Sequence, residues 1–185
     1  MGNPTLQDLP EKDTWETPDW LTDGIAEAIG GFDLDPCAGP QTRIADHNWS
    51  IQRGEDGLKR EWFGDVWVNP PFSEKEKWLR EAVDQTAFPE EGADRVFVLT
   101  PDSTDVKSWF HSYCTMADYV WFSKGRVKFI DPETGEPAGS PSFGTAISVF
   151  GEIEPPLRAW FHAKGWLTET ASRTVKGKRQ YDITD

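Results

Sequence analysis

Little in this sequence favours disulfide, metal or membrane chemistry. Only two cysteines, Cys37 and Cys114, occur in 185 residues. That excludes a disulfide framework and the paired spacing of a zinc site. The three histidines, His47, His111 and His162, stand far apart, so no metal site is expected. No apolar run approaches the ~20 residues of a membrane span. The first twelve residues are polar and proline-containing, unlike a secretory signal. A soluble chain in a reducing cytoplasm is the expectation. Internal repeats and low-complexity tracts are missing too. Basic residues are the minority, 19 against 32 acidic ones, for a net charge of −13. A broadly basic nucleic-acid surface is therefore excluded, though not a local basic stripe.

What is present is one domain's worth of chain with ten tryptophans, most of them read as packing. Residues 1–14 read as a loose leader and 168–185 as a flexible basic tail. The most informative stretch is Asp65-Val66-Trp67-Val68-Asn69-Pro70-Pro71-Phe72. Val66, Trp67 and Val68 suit a buried strand. Two prolines then stop it, because neither donates to a sheet ladder. The result is a stiff loop at the carboxyl end of a strand, where open α/β sheets bind ligands. At this chain's own composition an Asn-Pro-Pro-aromatic tetrapeptide arises by chance in about 0.002 of such chains.

The chemistry of that loop suggests a use. The exocyclic amine of adenine is a poor nucleophile because its lone pair is delocalised into the ring. The Asn69 side-chain oxygen and the Pro70 carbonyl can accept both of its N–H groups and turn the lone pair toward an electrophile. Pro71 stiffens the loop, and the Phe72 ring can stack on a base swung out of its duplex. Here the sequence resembles the amino-methyltransferases that use S-adenosylmethionine (AdoMet), whose corresponding motif is Asn/Asp-Pro-Pro-Tyr/Phe.

Around this loop the pattern alternates. Trp15-Glu16-Thr17-Pro18 precedes a helix over 19–29, with Thr17 as its cap and Gly30-Gly31 as its stop. Phe32-Asp33-Leu34-Asp35-Pro36-Cys37-Ala38 reads as a short strand ending on an acid, a place for ribose hydroxyls or a ligand ammonium. Asp56-Gly57 is a turn, and Asp56 either serves only that turn or also faces the cofactor's adenine. A helix over 73–87 begins with a Ser73/Glu76 capping box. A strand over 95–100, a short helix over 106–114 and a strand over 118–122 follow. Next come a turn at Lys124-Gly125 leading into a further strand to Phe129, a loop over 131–143, and a last strand over 145–150. This alternation predicts an α/β fold: a mostly parallel sheet with an antiparallel edge and helices on both faces, the layout of the AdoMet-dependent methyltransferases.

The ordered set Trp-x-Thr-Pro, Phe-Asp-Leu-Asp-Pro-Cys-Ala, Asp-Gly-Leu, Trp, Asn-Pro-Pro-Phe, Gly-Arg-Val-Lys-Phe and Pro-Ser-Phe resembles the phage-type, Dam-like DNA N6-adenine methyltransferases over about residues 15–150. The resemblance implies methyl transfer from AdoMet to adenine N6 in DNA, inside the host cell of a phage or prophage. It implies catalytic roles for Asn69, Pro70, Pro71 and Phe72. It implies a cofactor site built from Trp15, Thr17, Asp33, Asp35, Pro36, Cys37, Ala38, Asp56 and Asn69, with a departure in the missing Gly-x-Gly, only Gly39 being near. The chemistry requires neither a metal nor a covalent enzyme intermediate. DNA contact is expected from Lys124, Arg126 and Lys128 and from Arg173, Lys176, Lys178 and Arg179, the last four in an acid-free run. The alternatives are a solvated strand face for the first cluster and a solvated end for the second. Other acceptors, RNA adenine or a protein glutamine, share the Asn-Pro-Pro-aromatic motif. A non-catalytic binding module on the same fold is a third reading. No separate target-recognition domain is visible, so low sequence specificity is expected.

Overall fold

The computed structural model describes residues 13–87, 92–138 and 141–171. Helix α1 (Asp19–Ile29) has the expected bounds and buries Leu21, Thr22 and Ile25. Gly30 closes it in the left-handed region, at φ 94°, with its N–H on the Ala26 carbonyl. Its amino end differs from expectation. Pro18 is the N-cap residue, and among the described residues no side chain caps the helix and the buried Thr17 hydroxyl has no partner.

Among the described residues seven strands form one sheet: β1 (Leu34–Asp35), β2 (His47–Asn48), β3 (Gly64–Val68), β4 (Ala93–Pro101), β5 (Tyr119–Ser123), β6 (Thr145–Phe150) and β7 (Gly165–Glu169), in the order β2-β1-β3-β4-β6-β5-β7. The pairs from β2 to β4 are parallel. β6 runs antiparallel to both β4 and β5, and β7 closes the edge antiparallel to β5. β1, β3, β4 and β5 therefore point the same way, and their carboxyl ends share one end of the sheet.

Side-chain alternation builds two cores. Trp67, Phe97, Leu99, Trp121, Ile147 and Val149 face α1 and helix α3 (Pro155–Lys164) through Leu21, Ile25, Leu157 and Phe161. Val66, Val68, Val96 and Val98 face helix α2 (Lys75–Thr86) through Trp78, Leu79, Ala82 and Val83. Each such fully buried side chain contributes about 1.5–3 kcal/mol. At the sheet's other end Arg95 binds Asp65 with two nitrogens, at 2.8 and 2.9 Å, and reaches Glu154 and the Glu152 carbonyl. That holds β3, β4 and the start of α3 together away from the site. No described helix is long and apolar enough to cross a membrane.

Four expectations are corrected. The capping box is not formed: α2 begins after Glu74, and Ser73 bonds Asp13 instead. The helix over 106–114 is a π-helical turn (Lys107–His111) followed by a 3-10 turn (Cys114–Met116). The wider turn seats two consecutive rings, Trp109 and Phe110, in the buried layer. Residues 126–129 alternate in burial like a strand but join no ladder; only Ile130 bridges, to Glu16 and Pro137. Finally, α3 and β7 were not anticipated, and β7 reaches Glu169, inside the stretch read as tail. Thr170 adds a bond from its N–H to the Asp118 carbonyl at 3.1 Å.

Candidate active site

The carboxyl ends of β1 and β3 open into a cavity of about 340 Å³. Residues 13–17 cross it as a strap, held by reciprocal backbone bonds between Glu16 and Ile130, both 2.9 Å. Trp15 stacks on Phe129 at 5.9 Å, and Glu16 accepts a bond from the Thr42 hydroxyl at 2.9 Å. Gly39 lies where a Cβ would meet the Thr42 oxygen at 2.8 Å. Gly57 is tighter still: a Cβ there would come within 2.1 Å of the Pro36 carbonyl. The Asp56-Gly57 turn therefore docks directly on the end of β1, which no other residue type permits.

Trp15, Thr17, Asp35, Pro36, Cys37, Ala38, Asp56 and Asn69 all line this cavity. Asp33 does not. Its carboxylate is exposed, accepts the Asp65 N–H at 2.7 Å and packs against Gly64. Sequence reasoning missed Asp13, Glu16 and Thr42, because their contacts cross 26 to 60 residues of chain.

The lining is acidic. Among the described residues Asp13, Glu16, Asp35, Glu55, Asp56 and Glu74 line it with one cation, Lys77. Asp56 has local duties as well: it accepts the Leu58 N–H at 3.2 Å and pairs with Lys59 at 2.8 Å. Asp35 is only 3% exposed. Burial pushes its pKa up to about 7, against the lowering effects of the Cys37 N–H bond and Arg53. Burial also raises the Cys37 thiol, so it is no thiolate nucleophile. A buried carboxyl facing an acidic cavity, beside the unpartnered Thr17 hydroxyl, suits a ligand that is cationic and rich in hydroxyls. AdoMet, with its ammonium, sulfonium and ribose, has that character.

The Asn69 loop forms the wall of this cavity. The Asn69 Nδ2 donates to the Trp15 carbonyl at 3.0 Å. A carbonyl can only accept, so the amide nitrogen must face it, and Oδ1 is left as an acceptor. Among the described residues no donor binds that oxygen. The Pro70 carbonyl is likewise unengaged, whereas the Pro71 carbonyl takes the Glu74 N–H and the Phe72 carbonyl takes the Lys75 ammonium. Two acceptors on consecutive residues of one proline-stiffened loop are thus without a donor among the described residues.

A second cavity of about 360 Å³ lies on the other side, lined by Phe72, Lys75, Trp109 and Phe143 among others, and sharing Asp13 with the first. Phe72 is not an open rim residue. It is 7% exposed and is held edge-on by Phe129 at 5.8 Å and Phe143 at 5.3 Å. Lys75 and Trp109 were not foreseen as site residues. Lys124, Arg126 and Lys128 are exposed, and Arg126 lines a shallow groove that shares Ser103 and Phe143 with the second cavity. Arg173, Lys176, Lys178 and Arg179 lie outside the described residues.

Comparison with known proteins gives one structural likeness, one curated relative and one family. A solved structure from Pyrococcus horikoshii, a protein provisionally named an RNA methyltransferase, overlays 83% of this chain and 93% of its own, with a TM-score of 0.49 and 11% identity. The DNA N-6-adenine-methyltransferase of Escherichia phage T1 is 24% identical over 160 residues, covering 77% of this chain. The chain spans 64% of that relative's length. The family model for DNA N-6-adenine-methyltransferase (Dam) matches residues 5–169, a span that takes in the strap, the Asn69 loop and every strand of the sheet, and the chain belongs to that family.

Proposed function

We propose that the protein transfers a methyl group from AdoMet to N6 of adenine in DNA. The observation that carries this reading is the oriented amide of Asn69. Its nitrogen is fixed by the Trp15 carbonyl, which leaves its oxygen to accept a bond, and Asn69 and Pro71 line an acidic cavity. AdoMet, bound in that cavity, supplies an electrophilic methyl group. Asp35 and Thr17 hold its ammonium or ribose hydroxyls. Glu16 and Trp15 close the strap beside it, Pro36, Cys37 and Ala38 form the loop wall, and Asp56 faces its adenine.

The second cavity receives the target base. Asn69 Oδ1 and the Pro70 carbonyl accept the two N–H groups of the exocyclic amine and aim its lone pair across the loop. Phe72 and its aromatic neighbours bound the base. Because these groups are fixed before the base arrives, positioning supplies most of the rate. Pro70 and Pro71 provide that rigidity. Lys124, Arg126 and Lys128 meet phosphates beside the groove.

Incubating the purified protein with methyl-labelled AdoMet and DNA, then digesting to nucleosides, tests this reading. Label in N6-methyladenosine's deoxy form supports it. Label in RNA adenine or in a glutamine amide, and none in DNA, contradicts it.

A further inference from the structure

Acidic residues are sorted away from one part of this molecule. Residues 119–130 and 155–168 hold Lys124, Arg126, Lys128, Arg158, His162 and Lys164 but no aspartate or glutamate, in a chain with 32 acids. The sheet brings these two stretches together. β5 and β7 pair with Phe122 opposite Trp166 and Ser123 opposite Gly165. The Lys124 N–H donates to the Lys164 carbonyl at 2.9 Å. The nearest acids along the pair, Asp118 and Glu169, lie at its other end, where Glu169 binds Arg158. On the near side, Asp102 and Asp105 share the Arg126 groove.

Trp166 stands in this acid-free region. It is 64% exposed, more than the other large apolar side chains that reach solvent among the described residues. One ring face stacks on Phe122 at 5.6 Å and 23°, and Phe122 in turn lies 6.4 Å from the buried Phe110. The indole is therefore backed by the core and open to water elsewhere. β5 runs parallel to β3, so Phe122 and Trp166 sit toward the end of the sheet that carries Asn69. A rigid indole with one free face is a surface on which any base can stack. Lys124 and Lys164, the latter with its ammonium over the Trp20 ring at 6.0 Å, supply cations for neighbouring phosphates, and the acid-free stretches lessen the local repulsion.

We propose that Trp166, flanked by Lys124 and Lys164, is a stacking platform for an unpaired nucleotide of the DNA substrate. This rests on the DNA-adenine reading above. Extruding a base leaves neighbouring bases unstacked, and the platform offers one of them a new partner. Every base has a π-face, so the contact adds affinity without sequence preference.

The test compares full-length wild type, Trp166→Ala, Trp166→Phe and a Lys124→Gln/Lys164→Gln double variant. Labelled oligonucleotides, single-stranded and fully paired, are titrated by fluorescence anisotropy across a salt series. AdoMet affinity and the melting midpoint are measured in parallel. Trp166→Ala should weaken single-strand binding by roughly 5- to 150-fold, the range of one lost base stack, with a smaller loss on paired duplex. Trp166→Phe should recover most of it. The double lysine variant should flatten the slope of log affinity against log salt by up to about 2. AdoMet affinity and melting should not change. Wild-type affinity for both oligonucleotides in Trp166→Ala overturns the proposal. So does a wild-type dimer that Trp166→Ala dissociates with DNA affinity unchanged, since the face is then a protein interface. Wild-type protein that binds no oligonucleotide overturns the platform and the DNA reading together. Wild type that methylates DNA, while Trp166→Ala binds normally, overturns the platform alone.

Discussion

Replacing Asp35 by Asn should remove a pH dependence of cofactor binding whose size follows from the burial of the carboxyl. In the folded protein its pKa is pushed up from 3.8 to about 7, chiefly by burial. One pKa unit corresponds to about 1.4 kcal/mol. The ionised form is thus disfavoured by something of the order of 4 kcal/mol in the protein without cofactor. Two opposite consequences follow. The fold binds this proton more tightly than the unfolded chain does, so Asp35's contribution to stability is fully present below about pH 4. It is lost as pH rises from there through about 7. A cation or hydroxyl donor that binds the carboxylate has the reverse preference, because it needs the ionised form. AdoMet affinity should rise about tenfold per pH unit up to about pH 7 and then level. Calorimetric titration from pH 5.5 to 8 measures this directly. In Asp35→Asn the slope attributable to this carboxyl should vanish, and at pH 8 binding should be weaker by about 1.5–3 kcal/mol, one charge-assisted bond. Affinity that is flat with pH in the wild type, or a slope that survives in Asp35→Asn, refutes the assignment.

Thr17→Val tests the buried hydroxyl that has no partner among the described residues. It should weaken AdoMet binding by about 1 kcal/mol, the worth of one hydrogen bond, without lowering the melting midpoint; unchanged affinity means that the hydroxyl serves nothing in the cavity. Truncation after residue 171 leaves β7 and the Thr170 bond intact and removes Arg173, Lys176, Lys178 and Arg179. It should weaken DNA binding and flatten the salt slope by up to ~3–4, with AdoMet affinity untouched. The same affinity and slope after truncation would leave DNA contact to the groove beside Lys124, Arg126 and Lys128.

The parts of this molecule that were legible in the sequence are those with local causes. Helix α1 is bounded by a proline at one end and Gly30 at the other, so its limits appear in a dozen residues. β3 and its loop are written as a β-branched and aromatic run cut by two prolines. The alternation in 95–100 places Phe97 and Val98 on opposite faces, as observed. What was missed depends on distant partners. Thr17 has the side chain of a helix cap and the position of one, yet its hydroxyl, beside the cavity, finds no partner among the described residues. Ser73 gives up a capping box for Asp13, 60 residues away. The Trp15–Asn69 bond spans 54 residues, and nothing in either segment announces it. α3 did leave a signal: Pro155 and Pro156 suit a helix's first turn, and Leu157 and Phe161 are spaced four apart on its buried face. The second cavity is a tertiary product. Lys75 comes from α2, Trp109 from the π-helical turn and Phe143 from the loop before β6, and only the folded sheet brings them together.

The central claim is that Asn69 presents its oxygen to the reacting amine and serves the transition state rather than cofactor binding. Single-turnover methyl transfer to DNA, measured for wild type and Asn69→Ala at saturating AdoMet and with AdoMet affinity determined alongside, tests it most directly. The account predicts that transfer to adenine N6 falls by about 10²–10³-fold or more, the usual effect of removing one preorganised hydrogen-bonding group, while AdoMet affinity stays within a few fold. Near wild-type transfer in Asn69→Ala, or a loss of transfer fully explained by lost AdoMet binding, would contradict it.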